Sequence, residues 1–169
     1  MRKGWAPDLM KTEEALDEAN AKVIVLEAWT RDLERLEVEE INQRIVDIVE
    51  KALTKAEKVV VSTIINRTDV RDIDLKLNSV NSFINLKYKR NDSVIICDNF
   101  KLRNNKFRKK DNLHLNDDGV RLFATNLKYA IAGAIGVRVK QKVINNDTRR
   151  DDYDDRRNQR NSYRGWSRW

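Results

Sequence analysis

The chain has a single cysteine, a single histidine and no long apolar run, and each scarcity removes a class of protein. Cys97, set in the apolar stretch "SVIICDNF", excludes a disulfide framework and reads as a buried, inert thiol. One histidine and one such cysteine supply no ligand cluster, so neither a metal nor another cofactor is expected. The opening "MRKGWAPDLMKTEE" lacks the apolar centre of a secretory signal. Nothing approaches the ~18 apolar residues of a membrane span, and a soluble intracellular protein is the expectation. In that setting the "NRT" at Asn66 and the "NDT" at Asn146 read as accidental glycosylation sequons.

What is present fits one domain. A chain of 169 residues is long enough for one ordinary core and short for two. The formal charge of +7 favours contact with polyanions, which bears on association and not on fold. Three short β-branched runs stand out: "KVIVLE" from Lys22, "KVVVSTII" from Lys58 and "SVIICD" from Ser93. Each is continuous rather than alternating, as suits parallel strands covered on both faces. Between them, apolar residues recur at spacings of three and four, which predicts amphipathic helices. One runs from Val38 to Ala56, a second carries Ile73, Leu77, Val80, Phe83 and Ile84, and a third carries Val120, Phe123, Leu127, Ala130 and Ile131. Asn116 or Asp117 can cap the third, and a shorter helix is expected from Thr12 to Ala19. The alternation predicts an α/β protein, a three-layer α/β/α flavodoxin-like parallel sheet spanning residues 4–136. Residues 137–169 read as a charged, low-complexity tail, too poor in aliphatics to order itself.

The histidine lies in "DNLHLNDDG", three residues after Asp111. An aspartate there can accept a hydrogen bond from the imidazole, fix its tautomer and leave the second nitrogen to take a proton. Equally, Asp111 can be a turn former and His114 an ordinary loop residue. With the strands placed, residues 4 to 135 resemble the SGNH hydrolases, also called GDSL-type esterases. "DNLH" followed by "LNDDGVRLFATNLKYAI" is similar to that family's Asp-x-x-His block and closing helix, and "KVVVSTIINR" and "NSVNSFI" to its middle strand and the next helix. The resemblance implies a serine ester hydrolase ancestry, with Asp111 as orienter and His114 as general base. It also implies a sheet of order 2-1-3-4-5, of which this chain lacks the first two strands. The run at Val23 to Leu26 would then be an exposed edge inviting a second copy or another partner.

The same resemblance marks what is missing. Where the family has a Gly-x-Asn-Asp block the chain reads "WTRD": Trp29 replaces glycine, Arg31 replaces the oxyanion-binding asparagine, and only Thr30 and Asp32 fit. Losing one oxyanion donor typically costs ~100- to 1,000-fold in turnover. No Gly-Asp-Ser occurs, Gly4 is a weak stand-in for the second block, and none of Ser62, Ser79, Ser82 and Ser93 sits in a glycine-rich elbow. The expectation is a degenerate domain, inactive as an esterase on its own and acting by binding. The alternative is an acetylesterase-like hydrolase whose serine comes from a missing N-terminal segment or another chain. Candidate contacts to RNA or single-stranded nucleic acid are Arg103, Lys106, Phe107, Arg108, Lys109 and Lys110 in the loop before His114. In the tail they are Tyr163, Arg164, Trp166, Arg168 and Trp169. Plain solvated segments are the competing reading for both. SGNH-like domains in mobile-element proteins make nucleic acid a natural companion.

Overall fold

The computed structural model describes residues 12, 15–17, 19, 21–27, 30–66, 73–111 and 113–139. Trp29, Asn112, Gly4 and the whole aromatic tail with Tyr163, Arg164, Trp166, Arg168 and Trp169 lie outside the described residues. Three strands, β1 (Val23–Leu26), β2 (Lys58–Ser62) and β3 (Val94–Cys97), form a parallel sheet in that spatial order. Helix α1 (Val38–Lys55) connects β1 to β2, α2 (Ile73–Tyr88) connects β2 to β3, and α3 (Asp117–Ala134) closes the domain.

β2 is the central strand and explains why its sequence does not alternate. Val59, Val60 and Val61 are all fully buried, each worth about 1.5–3 kcal/mol of apolar burial. Val59 and Val61 join the core cluster shared with Ile41, Ile45 and Val49 of α1 and with Leu77, Val80 and Ile84 of α2. Val60, one residue out of phase, faces the other way onto Ala130 and Ala134 of α3. The domain is thus layered as expected, helices on both faces of a parallel sheet. The outer strands are covered less completely than continuous apolar runs suggest. Val25 in β1 is 38 % exposed, and Ile95 and Ile96 of β3 are half-buried. Among the described residues nothing pairs with the outer side of β1.

The helices follow their periodicity. The buried positions of α1, Ile41, Ile45, Ile48, Val49 and Ala52, form one stripe, with Glu39 and Glu40 in the first turn and Lys55 in the last, as the helix dipole favours. α2 runs four residues past Ile84 because Tyr88 continues the same buried stripe. Of the short helix expected near the start, Thr12 and Ala15 to Asp17 are helical. Leu16 is part of the core, and Asp17 pairs with Lys51 of α1 at 2.7 Å. Asn66 is buried, which bars a glycan from its "NRT" sequon in the folded chain.

Candidate functional site

The site grows from the segment between β3 and α3. At the carboxyl end of the sheet, Asn99 is buried and its amide donates to Ser62 Oγ (2.9 Å) and to the Thr63 carbonyl (3.1 Å). Its oxygen accepts from Asn126 of α3 (3.1 Å), and its backbone N–H donates to Thr63 Oγ1 (2.8 Å). This network fixes where the chain leaves β3. Two 3₁₀ turns follow, Phe100–Arg103 and Asn105–Phe107, and then a narrow loop pinned by an antiparallel bridge between Arg108 and Leu115. Within the bridge Lys109 N donates to the His114 carbonyl (2.8 Å), and Asn116 N donates to that of Phe107 (2.9 Å).

Asp111 and His114 sit at the tip of that loop. Asp111 Oδ1 accepts from the backbone N–H groups of Leu113 (3.0 Å) and His114 (2.9 Å). Its other oxygen lies 2.7 Å from His114 Nδ1. These bonds, the His114 backbone N–H foremost, hold the Asp111 carboxyl down at about 2. An ionised carboxylate can only accept, so Nδ1 donates, and a neutral imidazole then carries its lone pair on Nε2. The carboxylate that closes the turn through Oδ1 is thus also the one that holds the imidazole through Oδ2. The His114 side chain is 65 % exposed, so Nε2 is accessible from solvent.

Asn116 anchors the loop to α3. Its Oδ1 caps the helix by accepting from Gly119 N (2.9 Å), while Nδ2 donates to the carbonyls of Lys106 (2.7 Å) and Arg108 (3.3 Å). Gly119 lets the loop approach, because a Cβ there would stand 2.5 Å from the Phe107 carbonyl oxygen.

No hydroxyl of a described residue bonds to the imidazole. Ser62 is 1 % exposed and tied into the Asn99 network, its Oγ donating to the Thr63 carbonyl (3.2 Å). Ser93 precedes β3 at the opposite end of the sheet, and Ser79 and Ser82 lie on the exposed side of α2. In the "WTRD" stretch Thr30 is half-buried, Arg31 exposed and Asp32 buried at the start of a 3₁₀ turn, Asp32–Glu34.

The cations of the basic loop fall into two sets. Lys101, Lys106, Lys109 and Lys110 are exposed, Arg103 is partly exposed, and Lys106 Nζ lies 4.9 Å from the ring centre of half-buried Phe107. Arg108 departs from the surface role expected of it. It is only 9 % exposed and its guanidinium donates to the Leu113 carbonyl (3.1 Å), bracing the His114 loop from beneath. Among the described residues no group of three His, Cys, Asp or Glu gathers to hold a metal, and no helix is long and apolar enough to cross a membrane.

No family model and no curated protein matches the chain in sequence. In structure it is similar to a crystal structure of a member of the lipolytic protein G-D-S-L family from Veillonella parvula, with a TM-score of 0.61 and 17 % identity over 73 % of this chain and 74 % of that one. At that identity the likeness speaks for the fold, and the fold it shows is the SGNH-like α/β/α layering implied by the Asp-x-x-His block and its closing helix.

Proposed function

We propose that this domain acts by binding, through the cation-bearing loop that also carries Asp111 and His114, and does not hydrolyse esters by itself. The observation that carries this reading is the environment of the imidazole. One nitrogen is engaged by Asp111, and no hydroxyl of a described residue stands at the other. A general base without a nucleophile to deprotonate has no covalent chemistry to perform. What the loop does offer is Lys106, Lys109 and Lys110, a set suited to the phosphates of single-stranded nucleic acid.

The 2.7 Å Asp111–His114 bond favours a second reading, an SGNH-type ester hydrolase whose serine is delivered by another segment or another chain. The outer side of β1, unpaired among the described residues, is the natural place for such a segment or a second copy to dock. Two assays separate the readings. Under the binding view the purified chain gives no p-nitrophenyl acetate turnover above buffer, and His114→Ala changes nothing. Affinity for single-stranded RNA falls linearly on a log–log plot against salt, with a slope reduced in a Lys106/Lys109/Lys110→Ala variant and after deletion of residues 145–169. Turnover that disappears in His114→Ala would establish the hydrolase instead.

A further inference from the structure

Between α2 and the turn that follows β3 lies a recess of about 140 Å³, separate from the Asp111–His114 loop tip in the residues that line it. It opens at the carboxyl end of the parallel strands, where open α/β sheets take their ligands. Its rim is Phe100, which is 65 % exposed. A phenyl ring left so far in water gains little from burial, yet its place is set: the backbone Phe100 N donates to Asp98 Oδ1 (2.9 Å), and the Arg103 guanidinium lies 5.2 Å from the ring centre.

The wall opposite is a face of α2 carrying Asn78, Ser82 and Asn85, positions four and three residues apart and so stacked along one side of the helix. Asn85 spends its amide N–H on the Asn81 carbonyl (2.9 Å), which leaves its oxygen to accept. Asn81 itself is committed to the Ile64 backbone, donating to its carbonyl (2.9 Å) and accepting from its N–H (2.8 Å), so the wall is rigidly placed against the end of β2. The side chains of Asn78 and Ser82 make no hydrogen bond to another described residue.

The recess therefore asks for a ligand with a flat π face for Phe100, donors for Asp98 and Asn85, and acceptors for Asn78, Ser82 and Arg103. The Asp98 carboxylate disfavours a simple anion, and the amides disfavour an apolar group. A neutral sugar meets the hydrogen-bonding pattern but makes no use of Lys101 and Lys106, exposed on the segment that follows Phe100, whereas a nucleotide uses both parts. We propose that this recess seats one base of a single-stranded nucleic acid, stacked on Phe100 with its edge toward α2, while neighbouring phosphates rest on Lys101 and Lys106. The phosphate half rests on the binding reading above; the base half rests on the recess alone.

The test is fluorescence anisotropy of the full chain with a short 5′-labelled single-stranded RNA and with an abasic backbone of the same length and charge. Phe100→Ala weakens the base-bearing strand about tenfold and leaves the abasic strand and the salt slope unchanged. Phe100→Trp restores the affinity. Lys101/Lys106→Ala lowers the salt slope instead. Because Phe100 is exposed, the Ala variant should melt with the parent, a control to be run alongside. Equal affinity of Phe100→Ala and parent, or equal binding of abasic and base-bearing strands, removes the base pocket and leaves the binding reading standing. No binding of either strand at low salt overturns both. A Phe100-dependent response to neutral oligosaccharides, without one to RNA, reassigns the recess to carbohydrate.

Discussion

The side chain of Asn116 reaches back ten residues to the carbonyl of Lys106 at 2.7 Å while the same amide group caps α3, so one residue sets both the start of the helix and the closure of the loop that presents His114. Losing a side-chain N-cap typically costs about 1 kcal/mol, and losing the amide bonds to two carbonyls a similar amount. Asn116→Ala should therefore lower stability by about 2 kcal/mol in urea titrations. Asn116→Asp keeps the cap acceptor, loses the donor, and should lie between the two. Amide exchange at Leu113 and His114 should quicken in both variants.

Gly119→Ala makes a sharper case, because local and tertiary preferences predict opposite signs. Alanine in place of glycine inside a helix gains about 1 kcal/mol from propensity. Here the added methyl would meet the Phe107 carbonyl at 2.5 Å and the Leu115 side chain at 3.1 Å. That carbonyl cannot swing away freely, since it accepts from Asn116 N at 2.9 Å. Overpacking of this kind costs about 1–3 kcal/mol, and a thermal melt should show Gly119→Ala destabilised despite its better helix propensity.

How far the sequence could be read follows from what each signal depends on. The sheet and the three long helices are legible because β-branched runs and 3.6-residue spacing are local patterns that burial at Val59–Val61 and along Ile41–Ala52 then satisfies. Asp111 and His114 are legible because their partnership spans three residues. The Asn99 network is not, since it depends on Ser62 and Asn126, 37 and 27 residues away in sequence. Composition also cannot separate Arg108 from Lys109 and Lys110. Only the loop's path shows that Arg108 turns inward and the lysines outward. Phe100 passes unnoticed in sequence for the converse reason: an aromatic after a strand reads as core until its exposure is seen.

Cys97 should behave as an inert thiol. It is 1 % exposed, and burial first, then the carboxylates of Asp98 and Glu27, push its ionisation up to about 11. The thiolate is the reactive species, and at pH 8 almost none is present. Ellman's reagent should leave the folded chain unmodified and react with one thiol per chain once denaturant is added. Rapid labelling without denaturant would show that the carboxyl end of β3 opens in the native state.

Asp111 titrates at about 2 in the fold against an ordinary ~3.9, the direction expected of a carboxylate that accepts three hydrogen bonds. A depressed carboxyl contributes stability above its unfolded value, and that contribution fades as pH falls from about 4 through about 2. Carbon-detected NMR titration of the Asp111 carboxyl should give a midpoint near 2. His114→Ala removes the imidazole but keeps the backbone N–H groups of positions 113 and 114, including the one with the largest effect, so the midpoint should rise only part of the way. A full return to the ordinary value would mean that the turn itself collapses without the ring, making His114 a structural pin of its loop.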